Sequence, residues 1–129
     1  MKMKNFRAAE KTELTVSISD ILCNLGVPQH IKGFFYLREA IYIMVLYPQP
    51  LNIRMSKHIY PAVAEKYSTT TDCVARAMSH GIDYAMERGS DTLIFSVFGN
   101  TICKSRGKPT NNEFISLISE RIRAGRKSI

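Results

Sequence analysis

The sequence predicts an all-α domain of about six helices. Apolar residues recur three or four positions apart in each periodic segment. No stretch of strand length alternates cleanly between apolar and polar residues. Gly and Pro are sparse, at 7 and 5 of 129 residues, and most of them stand between the periodic segments. A hydrophobic share of 45% with a charged share of 22% is that of a globular domain with one core, which excludes wholesale disorder.

Taken in order, residues 1–13 are polar and charged and read as a flexible N-terminal arm. The first helix is expected at about 15–25. Ile18, Ile21, Leu22 and Leu25 fall on one face of it, and Gly26 and Pro28 supply the stop. Cys23 falls on an apolar stripe and is expected in the core. The second helix is expected from Ile31 to Leu46. Its apolar face is wide, with Phe34, Phe35, Leu37, Ile41, Met44 and Val45, as befits the central helix of a bundle. Pro48 and Pro50 end it, and Pro48–Arg54 reads as a loop.

A short third helix is expected at Tyr60–Tyr67, where Pro61 fits only the first turn. The polar run Ser68-Thr69-Thr70-Thr71 breaks the chain. A long helix then runs from Asp72 to Arg88, with Thr70 or Thr71 as N-cap and Gly89 as its close. Val74, Ala77, Met78, Ile82, Ala85 and Met86 form its buried side. Gly81 in mid-helix costs roughly 0.5–1 kcal/mol relative to Ala unless packing requires it. A fifth helix is expected at Ser90–Phe98, ended by Gly99, and Asn100–Lys108 reads as irregular and basic. The last helix opens at Pro109–Glu113 and buries Phe114, Ile115, Leu117, Ile118 and Ile122, with Arg121–Lys127 fraying behind it. The domain is expected to span 14–125, with a basic tail at 126–129.

Composition narrows the function. A formal net charge of +7 suits a polyanionic partner. Cys23, Cys73 and Cys103 are odd in number and far apart, which points to a reducing cytoplasm rather than a disulfide framework. His30, His58 and His80 show no metal-ligand spacing, so no metal or cofactor is expected. The basic start lacks the apolar stretch of a secretory signal, and the longest apolar run, Ile41–Tyr47, is too short to cross a bilayer. No nucleophile–base pair or phosphate-cradling Gly loop argues for an enzyme.

The informative unit lies between Tyr60 and Arg88. A helix-turn-helix needs a small residue where its two helices cross, and Ala64 stands there with Val63 and Tyr67 beside it. Val74 and Ala77 return apolar groups from the second helix. Ser68 occupies the turn position that often holds Gly. By spacing alone, the same residues would also pack a plain helical hairpin. If the unit reads DNA, the N-terminal half of the second helix enters the major groove. That half exposes Thr71, Asp72, Ala75, Arg76, Ser79, His80 and Asp83. Arg76 is the best candidate for a base contact, because a guanidinium matches the O6 and N7 acceptors of guanine. Thr69, Thr70, Thr71, Ser79 and His80 can donate to phosphates or bases. Lys57, Lys66, Lys104, Arg106 and Lys108 are candidates for holding the DNA backbone.

Three stretches carry a family resemblance. They are Gly26-Val27-Pro28-Gln29-His30-Ile31-Lys32-Gly33 leading into Tyr36-Leu37-Arg38-Glu39-Ala40-Ile41, Tyr60-Pro61 through Thr69-Thr70, and Lys108-Pro109-Thr110-Asn111 with Glu113-Phe114-Ile115. Over about 14–125 the chain resembles the C-terminal effector domain of the sporulation-initiation response regulators. The resemblance implies six helices, with the third and fourth forming the helix-turn-helix. It implies transcriptional control at entry into sporulation, binding of double-stranded DNA as tandem copies on adjacent boxes, and contact between the last two helices (Ser90–Phe98 and Asn112–Arg123) and a neighbouring copy or RNA polymerase. Those regulators carry a phosphoacceptor receiver ahead of this domain. Only a short arm precedes Leu14 here, so a stand-alone paralogue or an excised domain is expected, with no phosphorylation switch inside these residues.

On the recognition helix the family usually carries a Glu-Arg pair, then another Arg and a His. This chain keeps Arg76 and His80 but has Ala75 and Ser79 at the other two places. The loss of a carboxylate and a guanidinium predicts weaker binding to the family box or a shifted preference. The competing expectation is a protein-interaction paralogue that modulates a full-length regulator or RNA polymerase.

Overall fold

A computed structural model describes residues 8–47, 54–102 and 107–127. They form six α-helices and one π-helical turn, with no strand among the described residues. The helices are α1 (Ala8–Asn24), α2 (Lys32–Leu46), α3 (Tyr60–Lys66), α4 (Thr71–Arg88), α5 (Asp91–Ile102) and α6 (Asn111–Lys127). Of the loop expected at Pro48–Arg54, residues 48–53 lie outside the described residues, and Arg54 leads into the π-helical turn.

The first helix starts at Ala8, so the boundary expected at residue 14 falls inside α1. Ala8, Ala9, Glu10 and Lys11 are mostly exposed, and such residues extend a helix through backbone propensity alone. Apolar periodicity begins only at Leu14 and does not register a solvated first turn. At its other end α1 closes as expected. Gly26 takes φ +100°, the Val27 amide donates to the Leu22 carbonyl at 3.0 Å, and the Gly26 amide donates to the Cys23 carbonyl at 3.0 Å. These are the paired bonds of a Schellman cap, which a side chain at the left-handed position would strain. Cys23 is half-buried against the core rather than within it.

The central helix is α2, which packs most extensively on α4 and α6. Phe34, Leu37, Ala40, Ile41 and Leu46 are fully buried on it. Phe35, expected on the apolar face, is exposed, and the Arg38 guanidinium lies 5.2 Å from its ring centroid. Small residues bring α2 close to α4. A Cβ on Gly33 would stand 2.2 Å from the Ala77 carbonyl oxygen, and one on Gly81 would stand 3.2 Å from Leu37 Cδ1. Gly81 is therefore a packing residue, and its propensity cost is offset by the close crossing.

Gly89 ends α4 in extended backbone (φ −71°, ψ 159°), not in the left-handed form that often closes helices. Its small size is needed because a Cβ there would lie 2.2 Å from the Leu25 carbonyl oxygen. The fifth helix passes through Gly99 to Ile102, beyond the expected stop. The sixth opens with a capping box: the Glu113 amide donates to Thr110 Oγ1 at 3.1 Å, and the Thr110 amide donates to Glu113 Oε1 at 2.8 Å. Phe98 stacks on Phe114 with centroids 5.1 Å apart, which fastens α5 to α6.

The stretch expected to fray, Arg121–Lys127, is the last part of α6. Ile122 is buried there, and Arg123 donates from Nη2 to the Met44 carbonyl at 2.8 Å and from Nη1 to Glu120 at 2.9 Å. A guanidinium on one of the last carbonyls of α2 satisfies a helix-end acceptor and complements the helix dipole. Basic composition alone does not distinguish this clamp from a solvated tail.

Candidate nucleic-acid interface

The expected helix-turn-helix is built from α3, a tight turn and α4. A π-helical turn at Met55–Ile59 leads into α3, and Pro61 sits in the first turn of α3, where its missing N–H costs nothing. Val63 and Ala64 are buried at the crossing, where α3 packs on α4. The turn that follows is a second Schellman cap. The Thr69 amide donates to the Ala64 carbonyl at 2.9 Å, and the Ser68 amide donates to the Glu65 carbonyl at 3.3 Å. Ser68 itself takes φ +53°. The turn thus keeps the left-handed geometry that Gly would serve, and a serine bears the strain.

Thr70 is the N-cap of α4, and its Oγ1 accepts from the Cys73 amide at 3.1 Å. The Thr70 hydroxyl, and after it that of Thr69, holds the exposed Cys73 thiol below its ordinary range by hydrogen bonding to the charged form. Thr71 and Asp72 are exposed in the first turn, and Arg76 and His80 are exposed one and two turns further on. Among the described residues no acidic or accepting group pairs with the Arg76 guanidinium. The side chain is exposed, and a guanidinium carries five N–H donors.

Two other candidates on this helix are engaged within the fold. Lys108 donates to Ser79 Oγ at 3.1 Å and forms an ion pair with Asp83. Ala75 is half-buried, and its carbonyl accepts from Asn111 Nδ2 at 3.0 Å. Lys66, a backbone-holding candidate on α3, pairs with Glu39 at 2.7 Å, and that hydrogen bond raises its pKa above the ordinary lysine range. Lys104 and Arg106 lie outside the described residues. Lys57 is exposed on the π-helical turn.

Asn111 is a bridging residue that motif reading missed. The same Nδ2 that meets the Ala75 carbonyl also donates to the Tyr60 hydroxyl at 3.0 Å. One amide at the start of α6 thereby ties the first residue of α3 to the middle of the first half of α4. Its partners are 51 and 36 residues away in sequence, which no local pattern can register.

Residues 18–122 match the family described as sporulation initiation factor Spo0A C terminal. The match spans all of α2 to α5, the second half of α1 from Ile18 and most of α6. No helix among the described residues is long and apolar enough to cross a membrane.

Proposed function

The chain belongs to the Spo0A C-terminal family of sporulation-initiation effector domains, which bind DNA, and on that premise we propose that it is a sequence-specific transcriptional regulator that reads the major groove with the first half of α4. The observation that carries this reading is the unpaired Arg76. It projects from an exposed face whose angle is set by the Ala64 crossing and the Ser68 turn. A bidentate arginine–guanine contact discriminates by ~1–3 kcal/mol, which is a roughly 5- to 150-fold preference. Thr71, Asp72 and His80 flank Arg76, while Thr69 and Thr70 sit where a phosphate meets the helix start. The role is one of binding, without catalysis, in the cytoplasm.

Occupancy of adjacent boxes by tandem copies, and contact of α5 and α6 with a neighbour or RNA polymerase, extend the same reading. A second reading is a protein-interaction paralogue with reduced DNA readout. The exposure of Phe95 on α5 favours it, as does the small Ala75 on the reading face. Fluorescence anisotropy on a duplex with two family boxes, beside a scrambled duplex, separates the two. The regulator reading expects a preference for the boxes that Arg76→Ala abolishes. Equal binding to both duplexes at every salt concentration would turn the assignment towards a protein partner.

A further inference from the structure

Beside the reading face, a groove of about 510 Å³ runs between the start of α2 and the exposed side of α4. Four of its lining residues can donate to an anion: His30 and Lys32 from the α2 side, Arg76 and His80 from α4. None of the described residues that line it is acidic. Gly33 and Ala77, the pair that lets the two helices approach, lie between these walls. Tyr84 closes one end, with the Arg88 guanidinium 4.7 Å from its ring centroid. Asp83, the nearest acidic residue in sequence to His80, is paired with Lys108.

We propose that this groove holds a DNA backbone phosphate, with Lys32 and His30 as the contacts that α2 adds to the reading helix. The proposal rests on the major-groove reading of α4. A major groove about 12 Å wide accommodates one helix of about 10–12 Å diameter. An element packed directly against the inserted helix therefore meets the wall of the groove, which is a line of phosphates. The start of α2 is in that position because Gly33 brings it onto Ala77. Lys32 supplies a compact positive charge, and His30 supplies a ring N–H that donates in either protonation state. Neither residue reads a base from there, so the site adds affinity and register without sequence preference.

The test is a salt series of anisotropy titrations on the two-box and scrambled duplexes, using the full chain. Lys32→Gln is expected to flatten the slope of log Kobs against log salt by about 0.9, the loss of one phosphate contact. The ratio between the two duplexes should stay unchanged. His30→Ala should weaken both duplexes several-fold, again at constant ratio. Lys11→Gln on α1 removes the same charge outside the groove and should leave the slope alone, and thermal melts check that all three variants fold. An unchanged slope in Lys32→Gln, or an equal flattening in Lys11→Gln, overturns the groove while leaving sequence preference to stand or fall with Arg76→Ala. A changed box preference in Lys32→Gln also overturns it, because the residue would then be reading bases. No DNA binding by the unaltered protein overturns both proposals.

Discussion

The two long faces of α4 are built by opposite means. Towards α2 the helix is reduced to small groups, Ala77 and Gly81, and backbone lies nearly on backbone. Towards the start of α6 it is held by polar side chains, with Asn111 on the Ala75 carbonyl and Lys108 on Ser79 and Asp83. The first face sets how close α4 lies to the core, through sterics that tolerate almost no change. The second sets the angle at which the first half of α4 projects, through bonds worth about 1 kcal/mol each. Arg76 is exposed at the edge of the α2 face, and among the described residues no acidic or accepting group pairs with its guanidinium.

The largest expected effect is at the steric face. Gly33→Ala places a methyl 2.2 Å from the Ala77 carbonyl oxygen, where only a backbone shift relieves the clash. A loss of about 3 kcal/mol of stability is expected, read from the denaturation midpoint. Stability within 0.5 kcal/mol of the parent would mean that the two helices slide freely. The polar face should respond less. Asn111→Ala removes two neutral hydrogen bonds and should cost about 1–2 kcal/mol. It should also weaken DNA binding on every sequence, since α3 and α4 lose a shared tether. Unchanged DNA affinity in a folded Asn111→Ala protein would show that the amide stabilises without orienting.

The turn before α4 sharpens the contrast further. Thr70→Ala deletes the N-cap acceptor and should lower stability by about 1 kcal/mol, with a frayed first turn visible as faster amide exchange at Cys73. Ser68→Gly acts in the opposite direction. It relieves a left-handed serine at an exposed turn and should raise stability by about 0.5–1 kcal/mol, the steric gain less the extra freedom of Gly in the unfolded chain. A drop in the midpoint for Ser68→Gly would mean that the hydroxyl contributes more than the strain costs.

The pair of Schellman caps shows where local chemistry suffices and where it does not. Gly26 and Ser68 hold the same motif position. At Gly26 the backbone of Gly89 also leaves no room, since a Cβ would lie 2.6 Å from its amide nitrogen. At Ser68 the site is exposed, so the requirement is conformational alone and a serine survives. Sequence reading anticipated both turns from their position between periodic segments. It had no means of telling the crowded one from the open one, because the crowding comes from residues more than sixty positions away.

The same division runs through the whole molecule. Helix order, the apolar stripes, the Thr70 cap and the Ala64 crossing were legible in the amino-acid order, because each depends on neighbours within a turn or two of helix. The placement of Arg76 on an exposed face followed from the same periodicity. What α6 and the residues just before it do was not legible: Asn111 bridging Tyr60 and Ala75, Lys108 neutralising Asp83, and Arg123 capping α2 all join groups tens of residues apart. Backbone propensity and hydrophobic spacing act over a few residues, so they write themselves into local sequence. Which charged side chains are left free to meet a nucleic acid depends on which others come within hydrogen-bonding reach, and chain folding alone brings those together.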